Sequence, residues 1–208
     1  IVEPLVVTRS RNNLVLELAG RPALEVVTEV CNTLGGVDRK LLTEGLFLGR
    51  VVDERKSRFG RGDFLIRPLI AADEASGALA VGDFIPTGRT VQVHLRDAQA
   101  AHEDLALLLD GQKLYGPPAA GLLITCTGRG RRVFGHPDHD ARVVQNAFAH
   151  AAPGHEAAKP GSVAGDDTAA FPLAGFFAGG EIGPIGDTSY LHGHTASLAL
   201  LREADDAG

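Results

Sequence analysis

The sequence predicts an α+β protein, built mainly from antiparallel β-sheet with three or four packed α-helices. Short β-rich runs bounded by turn residues fill much of the first hundred positions. Amphipathic segments of helical period interrupt and follow these runs. The chain has 208 residues, 44% of them hydrophobic, which is enough to bury a core in one or two compact units.

A hairpin and then a helix are predicted at the start of the chain. The β-rich runs "PLVVTR" (4–9) and "NLVLEL" (13–18) are separated by the polar "SRN". Residues 21–36 have helical period, with Pro22 in the first turn and two glycines as a stop. The predicted inward stripe is Leu24, Val27, Cys31 and Leu34.

Several strands are predicted next. "GLFLGRVVDE" (45–54) indicates one strand, and "RKSRFGRGDFLIRPLI" (55–70) leads into another. Apolar runs alternate with Gly, Asp and Pro across 77–97, in a meander-like pattern. Within this stretch "TVQVHL" has the period of two expected of a strand with one buried face.

The second half is predicted to place helices around a central strand. Asp97 is the expected N-cap of a helix that closes at Gly111, with an inward stripe of Ala101, Leu105, Leu108 and Leu109. "GPPAAGLLITC" is apolar enough for a central strand. Another helix is predicted over 137–151, turning inward Val143, Val144, Ala147 and Phe148.

The last part of the chain is predicted to contain a mobile loop and two strands. Residues 153–170 have Gly, Pro, Ala and charges but almost nothing to bury, so we expect them to be mobile. "FPLAGFFAGGEIG" and "TASLALL" then predict two final strands.

Composition excludes several classes of protein. The 20 basic and 26 acidic residues give a net charge of −6, which argues against binding to nucleic acid or to an anionic membrane. Two cysteines, Cys31 and Cys126, form no disulfide framework, and no apolar run approaches the ~20 residues of a membrane span. We therefore expect a cytoplasmic protein. Because the chain begins at Ile1 and has no Met, we expect it to be part of a longer polypeptide.

A glycine-rich, basic turn is the first candidate site. The apolar strand that ends at Cys126 continues into "CTGRGRRVFG", where Arg129, Arg131 and Arg132 could hold a carboxylate or phosphate. The turn lacks the endings of a P-loop and of a dinucleotide-binding fingerprint. A charged surface turn is an equal alternative. Cys126 could be a nucleophile if a histidine base contacts it.

Histidines and one glutamate form the second candidate region. His192 and His194, with His136 and His139, could in principle assemble a zinc or iron site, but these spacings are common by chance, so we predict no metal. Glu181 lies between glycines just after Phe176 and Phe177. This places a carboxylate that can bind a polar ligand beside an apolar wall. An exposed acid in a turn is the alternative.

Five segments, in this order, resemble the C-terminal half of FIST-domain proteins across nearly the whole chain. They are "NLVLELAGRPALEVV", "DFLIRPLI", "GDFIPTGRTVQVHLRD", "GLLITCTGRGRRVFG" and "GFFAGGEIGPIGDTSYLHGHTASLALL". The resemblance implies one ligand-sensing domain over residues 1–208. The family's members are proposed sensory domains for small ligands, with amino acids suggested, and some relatives are haem-based gas sensors. The family's N-terminal FIST half and a signalling output partner are the implied neighbours.

The resemblance also implies site residues. The family's Cys-x-Gly-Arg-Gly turn corresponds to residues 126–130, and its Gly-Glu-Ile-Gly-Pro turn to residues 180–184. Together with the apolar wall, the predicted ligand-binding residues are Arg67, Cys126, Gly128, Arg129, Phe177, Gly180, Glu181, Ile182, Gly183, His192 and Thr195.

The function expected from these observations is non-enzymatic binding of a small polar metabolite. Arg129 and Glu181 would contact opposite charges on a zwitterionic ligand. The alternatives are a haem-based gas sensor with His136, His139, His192 or His194 as axial ligand, an enzyme that depends on Cys126, and a purely structural role.

Overall fold

A computed structural model describes residues 3–149, 171–185 and 187–203. The chain divides into two compact units. The first unit comprises Ile1–Asp97 with Ile185–Thr188, and the second comprises Ala98–Pro184 with Ser189–Gly208. The expectation of a single domain over residues 1–208 stays a prediction.

Seven strands of the first unit form an antiparallel sheet that closes on itself. The strands run in the order β1-β7-β4-β5-β6-β2-β3, and an additional β1–β2 pairing joins the two ends. The opening hairpin and the "TVQVHL" strand lie where the sequence predicts them. The bounds are β1 (Leu5–Arg11), β2 (Leu14–Leu18), β3 (Arg21–Pro22), β4 (Leu46–Val51), β5 (Phe64–Asp73), β6 (Ala78–Val81) and β7 (Thr90–Leu95).

Helices α1 (Ala23–Thr33) and α2 (Gly36–Leu41) follow β3. Helix α1 packs on the buried cluster of the sheet, and of the predicted stripe Val27 and Leu34 are buried. The residues buried from this helix are Ala23, Val26, Val27 and Val30. Leu24 and Cys31 are only partly buried against the same cluster. Apolar residues surround the helix on more than one side, so spacing alone did not select the inward face.

The second unit contains a three-stranded sheet and most of a separate hairpin. The bounds are α3 (Ala98–Gln112), β8 (Ala120–Cys126), α4 (Arg131–Phe134), α5 (His139–Phe148), β9 (Leu173–Ala178), β10 (Glu181–Ile185), β11 (Thr188–His192) and β12 (Ala196–Leu201). Strand β8 is central, antiparallel to β12 and parallel to β9. Strands β10 and β11 pair only with each other among the described strands.

Helices α3 and α5 contribute to a second buried cluster with the three-stranded sheet. Its buried members are Leu105, Leu109, Leu123, Val144, Phe148 and Phe171. Leu108, predicted to face inward, is 70% exposed, and α3 continues through Gly111 to Gln112. Three consecutive leucines end this apolar run, so the sequence pattern did not decide which of them is buried.

The predicted fold class is confirmed, because the protein is α+β with mainly antiparallel sheet. Five α-helices are present in the described residues, two of them short, where three or four were expected. "FPLAGFFAGGEIG" forms two strands, β9 and β10, instead of one, and β11 was not predicted. The predicted mobile loop at 153–170 lies outside the described residues.

Candidate functional site

The glycine-rich turn after β8 is tightly packed. A single 3-10 turn (Thr127–Arg129) follows Cys126 directly, and the Gly128 N–H donates to the Cys126 sulfur over 3.4 Å. A Cβ added to Gly128 would lie 2.3 Å from Nδ1 of His194. Because a real Cβ does not approach an atom that closely, any larger residue at this position would force the His194 ring to shift.

Arg129 leaves this turn and forms a buried ion pair with Asp140 at the start of α5. Its Nε and Nη2 each donate to one carboxylate oxygen over 2.8 Å, and only 10% of the Arg129 side chain and 3% of the Asp140 side chain are exposed. Burial alone would raise the pKa of the Asp140 carboxyl, but hydrogen bonds and charge from Arg129 lower the pKa below its usual value. Asp140 is therefore ionised and holds the guanidinium in one orientation.

One end of the guanidinium keeps unused donors. Nη2 also donates to the Ala101 carbonyl at 3.4 Å, which leaves Nη1. Within the ranges that the structure describes, no acceptor lies within hydrogen-bond reach of Nη1.

His139 extends the ion pair toward the surface. Its Nδ1 lies 3.0 Å from Oδ1 of Asp140, and its Nε2 lies 3.1 Å from Nδ1 of His102 on α3. The ring of Phe134 stacks on His139 with centroids 3.6 Å apart. Burial lowers the pKa of His139, so the ring is neutral at pH 7 and has one N–H, which donates to Asp140.

A cavity of about 210 Å³ opens beside the ion pair. Its polar lining comes from Arg129, Thr125, His139, Asp138, Asp140 and Gln145. Its apolar lining comes from Leu123, Ala141, Leu173, Ala174, Gly175, Phe176 and Phe177. The combination of an apolar wall with a few polar groups is typical of small-ligand pockets.

Thr125 in the wall of this cavity is only 5% exposed. Its Oγ1 is buried and has no hydrogen-bond partner among the described residues. A buried hydroxyl without a partner costs about 1–3 kcal/mol. A ligand that pairs with this hydroxyl would recover that cost.

The predicted Cys126 and Glu181 motifs are connected through Thr195. Because Thr125 and Cys126 are successive in the strand, their side chains point to opposite faces. The Cys126 N–H donates to the Thr195 carbonyl over 2.9 Å, and the Thr195 hydroxyl donates to Oε2 of Glu181. Oε1 of Glu181 is buried and has no partner among the described residues. Glu181 is not among the residues that line the cavity.

The β10–β11 hairpin holds three of the other predicted residues, Ile182, Gly183 and His192, and Gly180 directly precedes it. Nε2 of His192 lies 3.0 Å from the Gly183 carbonyl. A Cβ on Gly180 would lie 3.1 Å from the His192 carbonyl, so the two strands approach closely there. Ile182 is among the exposed apolar side chains.

Arg67 belongs to the first unit. Its Nε donates to Oδ2 of Asp83 over 2.8 Å, and Arg50 lies 3.8 Å from the same oxygen. Of the predicted ligand-binding residues, the cavity of the second unit includes Arg129 and Phe177.

The surroundings of the histidines and of Cys126 bear on the alternative metal and nucleophile sites. In residues 3–149, 171–185 and 187–203, no group of three or more His, Cys, Asp or Glu side chains is placed so that it could hold a metal ion. His139 uses both ring nitrogens in contacts, and the recorded contact of the Cys126 sulfur is with the backbone of Gly128.

Sequence reasoning missed Thr125, Asp140, His102 and Gln145. The missed groups lie on β8, α3 and α5, and only the fold brings them to Arg129. Asp140 carried one signal, because an acid in the first turn of a helix close after three arginines is available for an ion pair.

A comparison with known protein families identifies the family of this chain. The family model of the FIST C domain matches residues 23–184. The chain belongs to the FIST C domain family. This is a family of sensory domains of signal transduction. The FIST assignment predicted from the five segments is thus confirmed.

Two relatives of this FIST C chain come from mycobacteria. The chain is 43% identical over 203 residues to the uncharacterized protein Rv0628c of Mycobacterium tuberculosis, a match that covers 97% of the chain and 48% of the relative. It is 40% identical over 200 residues to the uncharacterized protein Mb0898c of Mycobacterium bovis, covering 95% of the chain and 47% of the relative. The chain therefore spans about half the length of these relatives. No solved structure matches it. None of the described helices is both long enough and apolar enough to cross a membrane.

Proposed function

We propose that this FIST C chain is a non-enzymatic sensory domain that binds a compact polar metabolite of amino-acid size in the cavity of the second unit. The observation that carries the proposal is the pair of unsatisfied donors there. Thr125 Oγ1 is buried without a partner, and Nη1 of Arg129 has no acceptor among the described residues. Both residues line the same cavity of about 210 Å³.

The two donors suit a carboxylate. Asp140 occupies Nε and Nη2 of the guanidinium, so the remaining edge is already oriented before a ligand binds. Binding therefore costs little side-chain conformational entropy at Arg129. A ligand oxygen that accepts from Nη1 and from the Thr125 hydroxyl would satisfy both groups. A charge-assisted hydrogen bond of this kind contributes more than a neutral one.

The rest of the lining suits an amine and an apolar body. Asp138 supplies a carboxylate that is separate from the Arg129–Asp140 pair, and Phe177, which pairs with Thr125 in the β8–β9 ladder, supplies an aromatic wall. The acidic partner proposed for the ligand amine is therefore Asp138, which lines the cavity, in place of the expected Glu181. A zwitterionic amino acid or a similar metabolite meets these requirements.

The remaining predicted residues are proposed to support the site. Cys126, Thr195 and Glu181 form a connected group at the end of β8, which fixes the part of the strand that presents Thr125. Gly128 allows the close packing of the turn. The hairpin residues Ile182, Gly183 and His192, together with Gly180 just before the hairpin, are proposed to hold Glu181 in place. Ligand binding by Arg67 stays a prediction and is not part of this proposed site.

Signalling would follow from a shift in conformational populations. Ligand binding between β8 and α5 favours the conformation in which the turn and α5 are held together, and a partner that contacts either element would detect the change. The proposed partners are a FIST N-terminal half in the same polypeptide and a signalling output partner, in the cytoplasm. The exposed apolar face formed by Leu122, Phe176 and Leu201 offers a surface for such a partner.

A thermal-shift screen tests the proposal. The probes are the common amino acids and their carboxamides, which lack the carboxylate. A ligand at ~100 times its dissociation constant adds about 2.7 kcal/mol of stability. We expect at least one amino acid to raise Tm while its carboxamide has little effect. A screen in which amides and acids act alike, or in which none acts, contradicts the proposed carboxylate site.

A further inference from the structure

The side chain of Gln145 is a polar group of the cavity to which the proposed function gives no role. Gln145 lies on α5, is half-buried and lines the cavity. Among the described residues its carboxamide has no hydrogen-bond partner. The carboxamide can therefore both donate to a ligand and accept from it.

Helix α5 runs antiparallel to β8 and β9, which determines where along the cavity Gln145 lies. Asp140 at the start of α5 contacts Arg129, which follows the end of β8. Phe148 at the other end of α5 packs on Phe171, which precedes β9, with ring centroids 5.2 Å apart. Gln145 therefore lies toward the start of the two strands, away from the Arg129 end of the cavity.

A short apolar passage separates these two polar parts of the cavity. Ala141 lines the cavity one turn before Gln145 on the same face of the helix. Across from the helix, Leu123 and Gly175 are paired in the β8–β9 ladder, and both line the cavity. A long helical side chain leans toward the N-terminus, so the Gln145 carboxamide is directed over Ala141. A short aliphatic chain in the ligand fits this passage.

We propose that Gln145 binds a carboxamide of the ligand, so that the preferred metabolite has a carboxylate at one end and a primary amide at the other. The inference rests on the proposed function, because it takes the carboxylate to be bound by Arg129 and Thr125. It adds the chemical class of the ligand's second polar group and the residue that selects it.

The pairing of two carboxamides explains the preference. Two primary amides form two hydrogen bonds in opposite directions, which uses one N–H and the carbonyl oxygen of each. A carboxylate in the same place can only accept, and an ammonium group can only donate. An apolar group of the same shape would satisfy neither end of the Gln145 amide.

The apolar lining beside Gln145 also disfavours a charged group. Ala141, Leu123 and Leu173 line the cavity near this position. A charge placed there would lose hydration that apolar side chains do not replace, whereas a neutral amide loses less. The surroundings and the hydrogen bonds thus favour the same ligand group.

Isothermal titration with three amino acids of the same shape tests the inference. The probes are glutamine, glutamate and homoleucine, which has methyl groups in place of the amide nitrogen and oxygen. The proteins are the wild type, Gln145→Met and the control Asn146→Met, which changes the next, exposed residue of α5. Methionine and glutamine have similar helix propensities, so Gln145→Met removes the amide with little effect on the helix. Circular dichroism checks that each protein is folded.

We expect the wild type to bind glutamine at least about tenfold more tightly than glutamate or homoleucine. Gln145→Met should lose this preference and still bind homoleucine, and Asn146→Met should behave like the wild type. Glutamine binding that is no tighter than homoleucine binding in the wild type overturns this inference and leaves the carboxylate site standing. A preference for glutamine that persists in Gln145→Met overturns it as well. If no acid in the thermal-shift screen binds, the proposed function fails together with it.

Discussion

Arg129 and Asp140 form a two-bond ion pair in which each bond is 2.8 Å long and the carboxylate is almost completely buried. The pair joins the turn after the central strand β8 to helix α5. It also determines which edge of the guanidinium faces the cavity. The stability of the second unit and its ligand chemistry therefore depend on the same contact.

Breaking this ion pair should destabilise the second unit strongly. Arg129→Met leaves the Asp140 carboxylate buried and unpaired, which costs about 3–5 kcal/mol. Asp140→Leu leaves the guanidinium unpaired in the same way. The double variant should be clearly more stable than the sum of the two losses predicts, because it leaves no uncompensated charge. Urea unfolding of the four proteins measures the coupling, and purely additive losses would show that the pair is not formed in solution.

Removing the unpaired hydroxyl of Thr125 should stabilise the ligand-free protein. Valine has nearly the same shape, so Thr125→Val deletes a buried polar group without a cavity. We expect about 1 kcal/mol of added stability, since an unsatisfied buried hydroxyl costs about 1–3 kcal/mol. Thermal or urea unfolding measures the change, with Thr188→Val at an exposed position as the control. A loss of stability would mean that Thr125 Oγ1 has a partner in solution.

The close contact between Gly128 and His194 can be tested by a double-mutant cycle. A Cβ at position 128 would lie 2.3 Å from the His194 ring, so Gly128→Ala should cost roughly 1–3 kcal/mol through overpacking. Combining it with His194→Gly removes the ring and should restore most of that cost. Independent effects of the two substitutions, measured by unfolding, would contradict the contact.

The first unit should lose stability in mild acid because of His94. This ring packs edge-on against Phe64, with centroids 4.8 Å apart, and its Nε2 is buried without a partner among the described residues. Burial lowers the pKa of His94 to about 4. The unfolded chain binds this proton below its ordinary pKa of 6.5, while the folded chain does not, so stability is complete above that pKa and falls as pH decreases toward 4.

Between pH 6.5 and pH 4, His94 should lower the free energy of unfolding by about 3 kcal/mol. Unfolding free energies of the wild type and of His94→Gln, measured across the same pH range, isolate it from the other acidic groups. The variant should show the smaller decrease. Identical pH dependence in both proteins would show that His94 is exposed enough to be protonated in the folded state.

Local patterns in the sequence predicted most elements of the fold. The "TVQVHL" alternation and the apolar run before Cys126 each produced the expected strand. Burial of one or both faces of a strand determines which of its positions are apolar, so such strands can be recognised from sequence. The parallel pairing of β8 with β9 could not be recognised from a local sequence pattern, because it depends on a crossover through α4 and α5. The choice among Leu107, Leu108 and Leu109 depended on packing for the same reason.

The candidate site was only partly predictable. Arg129 and Phe177 stood out by residue type and position, and both line the cavity. Asp140 did not stand out, because its role depends on the distance to Arg129 in the folded chain. Thr125 looked like an ordinary residue of an apolar strand, and only its burial without a partner makes it a candidate.

The central claim is that the cavity binds the carboxylate of a small metabolite through Arg129 and Thr125. Isothermal titration of the best amino acid from the thermal screen into the wild type, Thr125→Val and the Thr188→Val control tests it most directly. The account predicts that Thr125→Val weakens binding about tenfold, as expected for a charge-assisted hydrogen bond of about 1.5 kcal/mol, and that the control binds like the wild type. Equal affinity in all three proteins would contradict it.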